Sequence, residues 1–148
     1  MKVILLRYTP DGVKLIAESC RVSGVPSSFK DDEIINMVVN NDYSSVLEHI
    51  SFTFDIRDIS IALSRELLEH RVASHTARST RYQDETDFNY YIPPEFKKNK
   101  KALKLYQNVI ESQRKAYREL GNMKISKESS RYVMPMSAHT NYILSINT

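Results

Sequence analysis

The sequence predicts a mixed α/β fold of the α+β kind, and three observations predict it. Between Ile50 and Ile56 the apolar side chains Ile50, Phe52, Phe54 and Ile56 alternate with Ser51, Thr53 and Asp55, the period of a half-buried strand. From Asn99 to Leu120 the apolar face instead recurs at helical spacing, through Leu103, Tyr106, Val109, Ile110, Gln113, Tyr117 and Leu120. A chain of 148 residues is the length of one domain, residues 1–148, able to bury about 70% of its unfolded surface without a disulfide or metal staple.

The elements follow in order. Val3 to Leu6 is a short buried strand, and Asp11 is placed to cap a helix carrying Val13, Leu15, Ile16 and Cys20, which Gly24 and Pro26 end. A second helix runs from about Asp32 to Asn40 with Ile34, Ile35, Val38 and Val39 inward, closed by the polar cluster Asn40 to Asp42. After the Ile50–Ile56 strand, Ile59 to Leu68 reads as an amphipathic helix with Ile59, Ala62, Leu63, Glu66 and Leu67 at helical spacing. Asp84, Glu85 and Asp87, then Pro93 and Pro94, mark a connection into the long helix, for which Gly121 is the expected stop. A helical turn near Lys127 to Arg131 and a strand near Asn141 to Ile146 complete the chain.

Composition excludes several classes. The 21 Lys+Arg against 18 Asp+Glu give a net charge of +3, too balanced to mark a general nucleic-acid binder. A single cysteine, Cys20, excludes an internal disulfide and a Cys-rich zinc site, and no spacing of His70, His75, Glu48 and His49 repeats as metal ligands do. The apolar run at the N-terminus is too short for a signal peptide or a membrane span, so the expected location is the cytoplasm. With three glycines there is no phosphate-cradling Gly-rich loop.

The most informative stretch runs from Leu67 to Tyr82. It gathers His70, Arg71, His75, Arg78 and Arg81 with the hydroxyls of Ser74, Ser79 and Tyr82, a dense set of donors for a phosphate-bearing ligand. Arginine suits that task because its planar fork grips a phosphate through two charge-assisted bonds. A second use of the same side chains is single-stranded nucleic-acid binding by the Arg71, Arg78, Arg81 strip and the lysines from Lys97 to Lys104. That reading lacks the exposed aromatics such surfaces interleave, His75 and Tyr82 being the only candidates.

These residues carry a family likeness. Glu69-His70-Arg71-Val72-Ala73-Ser74, continued by Ser79-Thr80-Arg81-Tyr82, resembles the signature of the flavin-dependent thymidylate synthases, an Arg-His-Arg triplet followed by a spaced serine and Ser-x-Arg-Tyr. Ser44 to Phe54, with Leu47-Glu48-His49 and Phe52-Thr53-Phe54, is similar to the block upstream of that signature. Met1 to Pro10, Ala17 to Ser23, Tyr90 to Pro94 and Ser130 to Pro135 fit in the same order.

The resemblance implies a central, twisted, mainly antiparallel sheet flanked by helices, and a homotetramer with sites shared between subunits. It implies FAD as cofactor, NADPH as reductant and methylenetetrahydrofolate as methylene donor, converting dUMP to dTMP. It also implies roles for residues. Ser23, Ser45, Glu48, His70 and Arg71 match flavin-contacting positions, and Ser79 and Arg81 match dUMP-binding positions. Arg131 matches an arginine facing the uracil ring, where its charge would stabilise negative charge developing on the pyrimidine. Read without the family, Ser23 and Ser45 are also ordinary turn or cap residues, Glu48 a partner for Arg71, and Arg131 a surface residue.

The chain departs from the pattern at Glu69 for the first arginine of the triplet, at Glu66, Tyr43 and Ala77, and it reaches Thr148 without the family's C-terminal part. The sequence therefore carries two expectations: an active synthase, or a noncatalytic relative that keeps the fold and a weak nucleotide or flavin site, or serves as an oligomer scaffold.

Overall fold

The computed structural model describes residues 1–148. In chain order the elements are β1 (Lys2–Tyr8), α1 (Gly12–Val22), α2 (Asp31–Asn40), α3 (Ser44–Leu47), β2 (Ser51–Ser60), α4 (Ile61–Leu67), β3 (Ala73–Ala77), α5 (Pro94–Lys98), α6 (Lys100–Asn122), α7 (Lys127–Ser130), a 3-10 turn (Arg131–Val133) and β4 (His139–Asn147). The strands form one antiparallel sheet in the order β1-β2-β4-β3, so the mixed fold expected from the sequence is the fold observed. Its register is set where Thr9 N donates to Ser51 O at 3.0 Å, Thr148 N to Ile50 O at 3.1 Å and Arg78 N to Asn141 O at 2.8 Å. No helix is long and apolar enough to cross a membrane.

By contacts the chain gathers into two compact units. One comprises Val3–Asp55, Arg71–His75 and Ile143–Thr148. Its core joins Ile16, Ala17 and Cys20 of α1 to Ile34 and Val38 of α2 and to Ile50. Arg21 fastens the start of α2, its Nη2 lying 2.7 Å from Asp31 Oδ1 and 3.1 Å from the Phe29 carbonyl oxygen. That bond to Asp31 raises the Arg21 pKa above its ordinary value.

The other unit comprises Met1–Lys2, Ile56–His70 and Thr76–Tyr142. Ile110 of α6 packs with Phe88 and Ala138, and Ile61, Tyr90, Tyr106 and Met134 close around them. The Arg114 guanidinium donates from Nε and Nη2 to the Phe88 carbonyl at 3.2 and 2.6 Å and lies over the rings of Phe88 and Tyr90. Its apolar stem and planar head thus seal the long helix against the 84–90 loop.

Several local expectations are corrected. Ile59 and Ser60 belong to β2 and not to the helix, because the Ser60 side chain caps α4 by accepting from Leu63 N at 3.1 Å. Within α4 the buried residue is Ser64, whereas Leu63 is exposed. Asp11 precedes α1 in a left-handed conformation and makes no side-chain cap. Val39 is 65% exposed although its spacing pointed it inward, while Asp55, on the polar side of the alternation, is buried. Gly121 does not stop α6. The helix ends in a Schellman motif, with Ile125 N bonded to Leu120 O at 3.0 Å and Lys124 N to Gly121 O at 2.9 Å. The left-handed residue that motif needs is Lys124, at φ 62°. β3 has no sequence signal as a strand, because Ser74, His75 and Thr76 dominate it.

Candidate functional site

β3 delivers the chain into the loop that follows Ala77. Ser79 organises this loop: its Oγ accepts from Arg81 N at 3.3 Å, and its carbonyl oxygen accepts from Tyr82 N at 3.4 Å and Gln83 N at 3.2 Å. The Arg81 guanidinium, carried at the crest, lies 5.7 Å from the centre of the Tyr82 ring. Its Nη2 is 3.0 Å from Glu128 Oε1. Lys127 Nζ donates to the Tyr82 carbonyl at 3.2 Å. The loop is therefore tied twice to α7, whose start is capped by Ser126 Oγ accepting from Ser129 N at 3.3 Å.

Arg131 opens the 3-10 turn directly after α7, half-buried, with its Cζ 5.8 Å from the centre of the Tyr132 ring. The fold thus brings Ser79 and Arg81 to the helical segment that carries Arg131. That arrangement presents two guanidinium groups and a hydroxyl on two joined segments, a donor set suited to a phosphorylated ligand.

The donor-rich stretch is not used as a continuous strip. Arg78 is withdrawn from it: its Nε donates to Glu85 Oε1 at 2.7 Å, with that carboxylate buried. His75 lies half-buried in β3. Of the three arginines that a nucleic-acid surface would need, Arg78 is held by a buried carboxylate, Glu85, whereas Arg81 meets Glu128 in solvent.

Ser23 and Ser45 come together elsewhere. Both line a cavity of about 460 Å³ with Cys20, Val25, Met37 and Tyr43. Ser23 follows the last turn of α1, donating from Oγ to Ser19 O at 3.2 Å, and Ser45 sits in the single turn of α3. The wall mixes hydroxyls with apolar side chains, and the volume is that of a small-molecule pocket. Glu48, just past α3, is not part of this wall; its carbonyl accepts from Asn147 Nδ2 at 3.4 Å. Arg71 is exposed on the bend before β3, and His70 ends the turn after α4, where its N–H bonds to Leu67 O.

Three spatial relationships had no sequence signal. Glu128 is the acidic residue of a four-residue helix, and nothing local links it to Arg81. Glu66 and Glu69 line one groove of about 420 Å³ with Arg65, Leu68 and Met136. A third pocket, of about 360 Å³, is walled by Asp58, Arg78, Glu85 and His139 among others. Burial lowers the His139 pKa, which nearby Asp58 only partly offsets.

Comparison with known proteins gives a consistent result. The family model described as "Thymidylate synthase complementing protein" matches residues 4–148. A flavin-dependent thymidylate synthase of Clostridium tetani is 30% identical over 173 residues, covering 99% of this chain and 70% of the relative. One from Saccharolobus solfataricus is 35% identical over 162 residues, covering 99% of this chain but only 60% of the relative. Among solved structures, Thymidylate Synthase X from Helicobacter pylori, determined with FAD and dUMP, superposes with a TM-score of 0.73 at 27% identity, covering 100% of this chain and 79% of that one. The UMP/dUMP methylase PolB from Streptomyces cacaoi, bound with 5-Br dUMP, shares the fold at a TM-score of 0.80 and 20% identity, over 99% of this chain and 72% of that one.

Proposed function

The chain belongs to the thymidylate synthase complementing protein family, the flavin-dependent thymidylate synthases, and on that premise we propose that it binds FAD and dUMP and takes part in the reductive methylation of dUMP to dTMP. The observation that carries this reading is the joining of Ser79 and Arg81 to the segment bearing Arg131. In it, Arg81 and Ser79 hold the nucleotide phosphate and Arg131 adds positive charge against the bound nucleotide, a charge that would also stabilise an anionic pyrimidine.

The cavity at Ser23 and Ser45 is offered as the place of part of the flavin, because its lining combines the polar Ser44 and Ser45 with the apolar Val25, Met37 and Val46. Arg71, His70 and Glu48 are proposed as further contacts to the same cofactor. In the proposed reaction the methylene comes from methylenetetrahydrofolate and the hydride from NADPH by way of the flavin, which supplies the redox chemistry when bound. The protein's own part is to bind and orient. No cysteine nucleophile is invoked, consistent with Cys20 lying buried in a helix core. By the same reading the protein is a cytoplasmic homotetramer with sites shared between subunits.

One observation favours the second reading, a noncatalytic relative. Glu66 and Glu69 place two carboxylates in a single groove at positions where the family resemblance calls for an uncharged and a cationic side chain. The visible absorption spectrum after loading with FAD and desalting separates the two. Retained flavin whose spectrum shifts on adding dUMP supports the synthase, with tritium release from labelled dUMP as the direct assay. A colourless, folded protein supports the noncatalytic relative.

A further inference from the structure

The two arginine–carboxylate pairs on the loop after β3 differ in a way that bears on ligand entry. Arg78 meets Glu85 where the carboxylate is 5% exposed, a pair built into the fold. Arg81 meets Glu128 where both side chains remain in solvent, 46% and 53% exposed. An ion pair so hydrated is worth little, and water or another anion replaces either partner at small cost. Its geometry is nevertheless that of a charge-assisted bond, 3.0 Å from Nη2 to Oε1.

The backbone that carries Glu128 is also held independently of that bond. It lies in the first turn of α7, where the Ser126 side chain accepts from the Ser129 N–H. Lys127 holds the loop by bonding to the Tyr82 carbonyl, a contact that does not involve Arg81. When Arg81 lets go of Glu128, neither the loop nor the helix has to move, and the carboxylate stays within reach of the guanidinium.

We propose that Glu128 is an internal counter-ion for Arg81 that the phosphate of an incoming nucleotide displaces, so that Glu128 tunes affinity and charge selectivity at this site. The inference rests on the reading of Ser79, Arg81 and Arg131 as the nucleotide-binding set. A phosphate dianion outcompetes a single carboxylate for the guanidinium, but it does so with that carboxylate still nearby, and the residual repulsion weakens binding. Glu128 is accordingly a positioning residue: it keeps Arg81 extended over Tyr82 in the free protein and opposes excess negative charge in the complex.

The test is calorimetric titration of the full chain, loaded with FAD, with dUMP and separately with deoxyuridine, for the unaltered protein, Glu128→Gln and Arg81→Ala. Glu128→Gln keeps the shape and removes the charge, and it should tighten dUMP about two- to fivefold, the range for one half-exposed charge pair. Deoxyuridine affinity should not change, and the gain on dUMP should shrink as salt rises from low to physiological concentration. Glu128→Ala serves as a second variant, and circular dichroism checks the fold of each. Unchanged or weaker dUMP binding in both Glu128 variants, with Arg81→Ala still losing affinity, overturns the counter-ion role and leaves the binding site standing. If Arg81→Ala binds dUMP as the unaltered protein does, or if the unaltered protein does not bind it, the reading of the site itself fails and the counter-ion role with it.

Discussion

Arg78 Nε lies 2.7 Å from Glu85 Oε1, and the carboxylate it meets is 5% exposed while the guanidinium is 35% exposed. A side chain that looks like one more phosphate ligand in the sequence is therefore a partner for a buried acid. Arg78→Ala should cost roughly 2–4 kcal/mol, below the full figure for breaking a buried pair because the arginine is partly hydrated. The double variant Arg78→Ala/Glu85→Ala should be less destabilised than the single one, since no charge is then left buried alone. Urea unfolding of the two variants checks this, and equal losses would contradict it.

The proposed division of labour between the two ligands predicts separable defects. Arg81→Ala should weaken dUMP at least tenfold, a loss of about 1.4 kcal/mol or more expected for a charge-assisted contact to phosphate, with little effect on flavin. Flavin fluorescence followed while FAD is titrated into the free protein, and then while dUMP is titrated into the loaded protein, reads the two affinities separately.

Arg71→Ala should do the reverse, weakening FAD. Arg71 is exposed on a bend, so its removal should leave the unfolding free energy within about 0.5 kcal/mol of the original. A variant that retains flavin through desalting as well as the unaltered protein does would remove Arg71 from the cofactor site.

The long helix is anchored through Ile110, fully buried against Phe88 and Ala138. Ile110→Ala should destabilise by about 2–5 kcal/mol through lost burial and the cavity left behind. The slope of the urea transition should stay constant while the midpoint falls.

His139 gives the fold a pH dependence of definite sign. Burial depresses its pKa in the folded state below the ordinary 6.5, with the chain's amino terminus adding to the effect and Asp58 opposing it. Above that ordinary value the imidazole is neutral in both states and no penalty arises. As pH falls through it, the unfolded chain takes up a proton that the folded chain accepts only at lower pH, so stability declines. Asp84 acts in a separate, more acidic window: bonds from the Thr86 hydroxyl and N–H lower its pKa below 3.8, and that support is lost only as pH falls through the lowered value. Thermal unfolding between pH 7 and pH 5 should therefore show a downward slope that His139→Gln flattens.

The elements legible in the sequence were those whose signal is local. The alternation from Ile50 to Ile56, the spacing of α6 and the Gly24-Pro26 stop each restate a backbone period or a backbone restriction, and all three appear in the structure with shifted ends. The shifts have local causes that pattern alone does not rank: the Ser60 cap shortens α4, and Lys124 takes the left-handed position that Gly121 suggested. Ser79, Arg81 and Arg131 stood out as members of motifs, and their proposed roles rest on that and on the joining of their segments.

Their relationships were not. β3 is a strand because β4 offers it a ladder, not because Ser74, His75 and Thr76 favour one. Glu85 takes Arg78 out of the loop's free donors and Glu128 meets Arg81 in solvent, and both reach them through space. The sequence by itself determined the class of fold and the stock of side chains whose chemistry suits a phosphate, since periodicity and composition are properties of short stretches. Only the tertiary structure decided which charges are neutralised inside the protein, because ion pairing depends on distance and burial that the order of residues does not contain.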